Sequence, residues 1–125
     1  MADRNQNGGK TVITAALLAY ASRPKNYGWG TGTGAAATAT NLVTPAAPTT
    51  TTAQAGTDTA VTTTVTNDTF QVVTTITAGG SLAITEAGSF SSTTMAANLF
   101  NYHDFAAVNV VSGDSIEFTD KTIFS

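Results

Sequence analysis

The sequence predicts a mainly β protein: an antiparallel β-sandwich with a short N-terminal helix and an extended Thr/Ala-rich arm. Three observations carry this. From Thr57 onward, turn residues separate β-branched and aromatic runs at the spacing of about 8–12 residues typical of sandwiches. Threonine and alanine, 26 and 21 of 125 residues, dominate a chain in which only 10% of residues are charged, against about 25% in an ordinary soluble domain. A chain of this length holds one core, divided here into a basic arm with a short helix (1–25) and one sandwich domain (26–125).

Each element follows from its local pattern. Met1 to Gly9 is polar and reads as flexible. In Lys10 to Ala21, Ile13, Leu17 and Tyr20 recur at i, i+4 and i+7 beside Val12, Ala16 and Ala19, which predicts an amphipathic helix stopped before Pro24. A strand through Thr11–Thr14 is the competing assignment. In Asn26 to Gly34 glycine alternates with larger residues, baring one face of an extended segment and placing Tyr27 and Trp29 together on the other. Buried packing is the expected use of that aromatic pair, a sugar-stacking platform the rarer one. Residues 31–60 are low complexity: 25 of the 30 are Thr, Ala, Gly or Pro. Such a stretch cannot bury enough apolar surface to fold alone. With Pro45 and Pro48 favouring extended backbone, it should lie along a sheet or along a neighbouring subunit.

Val61–Thr66 and Thr69–Ala78 should form a hairpin about Asn67-Asp68, with Phe70, Val72, Thr74 and Ile76 on one face. Gly79-Gly80 reverses the chain into Leu82 and Ile84, and Glu86-Ala87-Gly88 interrupts the alternation as a β-bulge would. Ser91-Ser92 turns into Thr93–Phe100, a loop carries Tyr102, His103 and Asp104, and Phe105–Val111 resumes a strand. Ser112-Gly113-Asp114 turns once more before Ile116, Phe118 and Ile123-Phe124. The expected core is Phe70, Val72, Ile76, Leu82, Ile84, Phe90, Leu99, Ile116 and Phe118.

Composition also excludes functions. Without cysteine there is no disulfide framework and no thiolate site, and one histidine cannot make a His-rich metal centre. No apolar run reaches the roughly 18 residues of a membrane span, and no signal-peptide pattern opens the chain. Four of the five cations, Arg4, Lys10, Arg23 and Lys25, precede residue 26, whereas seven acids follow it. Such asymmetry marks an arm that docks on an oppositely charged partner or an ordinary solvated terminus. Four spaced cations without interleaved aromatics fall short of a nucleic-acid footprint.

Catalytic signatures are missing as well. The glycines at 28, 30, 32 and 34 match no phosphate-binding loop, and no G-x-S-x-G accompanies His103 and Asp104. Glu86 with Asp104 or Asp114 has no spacing that demands a glycosidase pair, and no calcium loop surrounds Asp114, Glu117 and Asp120. The expectation is a non-enzyme without cofactor or metal. Glu86, among Ile84, Ala87, Gly88 and Phe90, must either cap backbone N–H groups at a bulge or meet a cation, because an unpaired buried carboxylate is unfavourable.

The stretches 24–32 (Pro-Lys-Asn-Tyr-Gly-Trp-Gly-Thr-Gly), 66–73 (Thr-Asn-Asp-Thr-Phe-Gln-Val-Val), 83–90 (Ala-Ile-Thr-Glu-Ala-Gly-Ser-Phe) and 109–118 (Asn-Val-Val-Ser-Gly-Asp-Ser-Ile-Glu-Phe) resemble small virion proteins of tailed bacteriophages. Those proteins are mostly labelled capsid decoration, or cement, proteins and sometimes tail-fibre or structural proteins. The resemblance implies a β-sandwich, often of jelly-roll type, assembled as a homotrimer on the outer surface of the major capsid protein shell. It implies a location on the virion after synthesis in the host cytoplasm, with no nucleic-acid or membrane partner. Arg4, Lys10, Arg23 and Lys25 are the expected capsid-contacting residues. The alternative from another class is a tail or fibre adhesin that reads host glycans through Tyr27, Trp29 or Tyr102.

Overall fold

A computed structural model describes residues 7–124. It contains one helix, α1 (Asn7–Ala19), and seven strands: β1 (Asn26–Gly30), β2 (Gln54–Ala55), β3 (Thr57–Val61), β4 (Thr69–Thr77), β5 (Leu82–Phe90), β6 (Leu99–Val110) and β7 (Ser115–Ile123). All pairings are antiparallel. The first sheet has the order β2-β1-β5-β6 and the second β3-β4-β7. Met1 to Gln6, which include Arg4 and most of the expected flexible arm, lie outside the described residues.

The two sheets meet across a cluster of Tyr27, Trp29, Ile76, Ile84, Ala87 and Val110, with Phe118 packed against it from β7. Tyr27 and Phe118 lie with ring centroids 5.0 Å apart, and Trp29 meets Phe118 edge-on at 6.4 Å. The alternation in β4 holds as expected: Phe70, Val72, Thr74 and Ile76 are buried. Ile84, Phe90 and these β4 aliphatics are core, whereas Leu82, Leu99, Ile116 and Phe118 are only partly covered. The irregularity expected at Glu86-Ala87-Gly88 falls on either side of it: those three residues are in register with β6, and the register shifts lie between Ile84 and Glu86 and between Ser89 and Phe90.

A second apolar cluster, Leu42, Ala53, Phe90 and Met95, covers the opposite face of the first sheet. It is built by the Thr/Ala-rich segment, which folds back over its own sheet. Glycine decides this. A side chain at Gly28 would overlap Met95 and Phe90, one at Gly30 the Glu86 carboxylate and the Thr44 carbonyl, and one at Gly32 Val43. The bared face expected for 26–34 is therefore filled by another stretch of the same chain. On the side of β1 away from β5, beyond its short pairing with β2, Thr31 N–H donates to Thr44 O at 2.9 Å and Ala46 N–H to Trp29 O at 3.1 Å. Trp29 Nε1 donates to Ala47 O at 2.9 Å, beside a cis Ala47-Pro48 bond. Of the two courses expected for residues 31–60, along a sheet or along a neighbouring subunit, the first is the one observed.

Four other expectations need correction. The helix begins at Asn7, so Gly8 and Gly9 belong to its first turn rather than to a free arm. Only Val61 of the expected strand Val61–Thr66 is in a strand; residues 62–68 form a loop around Asp68, whose carboxylate accepts from the backbone N–H of Thr63, Thr64 and Val65 at 2.9–3.1 Å. A short-range side-chain acceptor outcompetes the ladder there, although the residues are β-branched. Gly79-Gly80 carries the chain from the second sheet to the first instead of closing a hairpin. Tyr102, His103 and Asp104 sit within the continuous 12-residue strand β6, because β5 supplies a ladder partner for each.

Candidate functional site: the open flank between β6 and β7

Glu86 is fully buried on the face of β5 that carries the Thr/Ala-rich segment. Its Oε1 accepts from Val43 N–H and from the Tyr102 hydroxyl, both at 2.9 Å. Its Oε2 accepts from Thr44 N–H at 2.7 Å and Gly32 N–H at 3.1 Å. Four donors satisfy a carboxylate without a cation. Of the two expected roles, capping backbone N–H groups is the one observed, but the groups lie over forty residues upstream rather than at the bulge. Burial, followed by the hydrogen bond to Glu86, pushes the Tyr102 phenol up to about 12. Asp104, opposite Glu86 in register, accepts from Gly34 N–H at 3.0 Å. These two acids hold a loop down, and Glu86 faces no cleft.

The chemistry that does face solvent lies where the sandwich stays open. β6 and β7 are each the edge of a sheet, and a groove of about 390 Å³ runs between them. Its walls include Tyr27, His103, Phe105, Ile116, Phe118 and Asp120. Asp120 is nearly buried, and His103 Nε2 lies 3.3 Å from its Oδ2. That hydrogen bond holds the imidazole above its ordinary pKa against the opposing effect of burial. Burial first, then the neighbouring Asp120 charge, raises the Tyr27 phenol far above its usual range. The groove is thus an apolar slot with one anchored carboxylate at its base. It can seat an apolar side chain. Among the described residues no group of three or more His, Cys, Asp or Glu is placed to hold a metal ion.

The residues expected to contact a capsid do not gather here. Lys10 is half-exposed in α1, and Lys25 is half-exposed just before β1. Arg23 forms an ion pair through Nε with Asp58 of β3, so an acid of its own chain neutralises it. Arg4 is outside the described residues. Tyr27 and Trp29 are buried and Tyr102 donates inward, so the aromatics named for glycan reading are engaged within the fold. Sequence reasoning passed over the β6–β7 flank because His103 and Asp104 read as a loop. The usable signal was the run from Leu99 to Val111, which carries Phe and Val without Lys, Arg or Pro.

No protein-family model, no curated protein and no solved structure matches the chain. Among the described residues no helix is long and apolar enough to cross a membrane.

Proposed function

We propose that the chain is a structural virion protein of a tailed phage, a capsid decoration protein that binds the outer surface of the major capsid protein shell and stabilises it, associating with its own copies as a homotrimer. With seven strands in two open sheets, the sandwich would be a shortened relative of the jelly rolls to which the resemblance points. One observation carries this reading. Buried polar groups such as Glu86 and Asp68 are engaged by the chain's own backbone, while large apolar side chains stand exposed: Phe100 and Val108 on β6, Val111 just beyond it, and Val12 and Tyr20 on α1. That is the inventory of a protein that works by contact. A cement protein needs many modest contacts, because attachment at several points on a shell multiplies through effective concentration.

Co-sedimentation of the purified protein with expanded and unexpanded capsids tests the reading, with cryo-electron microscopy of the particles to locate it. Saturable binding to expanded capsids, with a raised temperature of capsid disruption, is the expected result. No binding to either form, or density confined to the tail, overturns it.

A further inference from the structure

The two sheets are joined differently at their two flanks. On one, β2 and β3 belong to different sheets yet are separated by Gly56 alone, so the chain itself closes that side. On the other, β6 and β7 follow one another through a tight turn in which Asp114 N–H donates to Val111 O at 2.9 Å and Gly113 takes a φ of 92°. Strands joined by so short a turn ordinarily pair as a hairpin. These two lie in different sheets and share no ladder.

Beyond the turn, side chains tie them. Asn101 Nδ2 donates to Thr122 Oγ1 at 3.1 Å, and His103 Nε2 lies 3.3 Å from Asp120 Oδ2. Two steps along β6 match two steps back along β7, the register of an antiparallel pair. Continued, that register would set Phe105 against Phe118, but both are walls of the groove instead. β6 bows there, because Phe105, Ala106 and Ala107 stand opposite Thr85 alone in the ladder with β5. The seam is pinned at the turn, tied at its far end, and open between.

One member of the tie changes charge near neutral pH. His103 is the chain's single histidine, and Asp120 holds its proton above the ordinary imidazole range. Beside Asp120, Tyr27 of β1 presents a phenol that stays protonated, and Lys121 of β7 lines the same groove. Val72 of β4 and Ala87 of β5, the ladder partners of Asp120 and His103, bring no charge. Asp104 faces the other side of β6, where it accepts from Gly34 N–H. Glu117 lies opposite exposed Thr75 on the outer face of the second sheet.

We propose that the His103–Asp120 contact is a proton-operated clasp on the β6–β7 seam: the imidazolium draws the two strands together and keeps the groove narrow, and loss of its proton lets them part about the turn at 111–114. A hydrogen bond between two charged partners is stronger than one from a neutral donor. Once the charge is gone, that weaker bond and the neutral Asn101–Thr122 bond are left to hold the far end. The clasp is a property of the folded chain, and capsids take no part in its test.

The test is amide hydrogen exchange on the full chain at pH 5 and pH 8, corrected for the intrinsic pH dependence of exchange. Protection of residues 99–104 and 119–123 should fall about two- to fivefold at the higher pH, the scale of an exposed ion pair, while the central strands β1 and β4 keep theirs. Two substitutions at this exposed position separate charge from packing. His103→Gln, never charged, should give the lower protection at both pH values, and His103→Lys, charged throughout, the higher. Thermal unfolding confirms that each variant folds, and either one alone suffices to read the effect. Wild-type protection that does not change with pH overturns the proposal. So does the same change in either variant, or a fall shared equally by all strands, which would make His103 a contributor to global stability and not a clasp.

Discussion

Gly30 and Glu86 are directly opposed in the β1–β5 ladder, and the carboxylate of one occupies the space left by the missing side chain of the other. From that position Glu86 reaches beyond its own sheet to three backbone N–H groups of the covering segment. A glycine and an acid together make a loop into a layer.

Gly30→Ala should therefore destabilise the protein by about 1–3 kcal/mol, the range for overpacking a filled site. Gly79 is the control: a methyl group there would meet nothing within 4 Å, and its φ is not positive. Gly79→Ala should be neutral or stabilise by up to about 1 kcal/mol. Urea denaturation of both variants checks the pair, and equal midpoints would contradict this packing.

Glu86→Gln replaces an acceptor-only group with one that presents an N–H₂ to backbone donors. A buried donor left without a partner costs about 1–3 kcal/mol, more where the acceptor was charged, so a loss of about 2–4 kcal/mol is expected. Limited proteolysis should then cut first between residues 32 and 44. Unchanged stability together with a protected segment would contradict the staple.

Phe90 is fully buried, whereas Phe118 forms part of the groove wall. Phe90→Ala should cost about 3–5 kcal/mol and Phe118→Ala distinctly less, about 1–3 kcal/mol, since Phe118 is only partly buried. The reverse order in chemical denaturation would mean that the open flank is closed in solution.

Asp68 is held well below the ordinary carboxylate range, first by the Thr63 N–H and then, against the effect of burial, by Val65, Thr64 and the Thr69 hydroxyl. A lowered folded-state pKa gives stability that is present above the unfolded value, near 3.9, and lost as pH falls toward the folded one. Asp68→Asn should lower the melting temperature at pH 7 and flatten the acid limb of the stability curve. A variant with an unaltered acid limb would remove Asp68 as its source.

The sign reverses at His103. Its pKa is raised by Asp120, so its contribution is full below the unfolded value near 6.5 and disappears as pH rises through the folded one. The imidazole is 52% exposed, so the effect is under about 1 kcal/mol. NMR titration should place the His103 pKa above that of a free imidazole, and Asp120→Asn should bring it down.

Much of this fold is legible in the residues, because β4, β5 and β7 follow rules of short range. Alternation in Phe70-Gln71-Val72-Val73-Thr74-Thr75-Ile76 places the buried face, and the glycines of 28–32 announce a close approach. What approaches them is set by a carboxylate far along the chain, and no local pattern ties Val43 or Thr44 to Glu86. For the same reason Leu42 and Met95 escape a core assembled from strand periodicity alone. Val61–Thr66 fails in the opposite way: its β propensity is genuine, but Asp68 sits close enough to claim its N–H groups. The flank is hidden because His103 and Asp104 are weak strand formers that β5 nevertheless pairs.

The ladder of β1 has a consequence for how the chain is made. Asn26 pairs with Phe90, and Thr69 with Ile123, so neither sheet can close until most of the polypeptide has left the ribosome. Folds built on such distant pairings form slowly. Throughout that wait residues 31–53 are exposed and unpartnered, and any run of large aliphatics there would invite association between nascent chains. Threonine, alanine and proline do not. The composition that makes the segment unable to fold by itself is also what lets it remain harmlessly unfolded until Glu86 is synthesised to receive it.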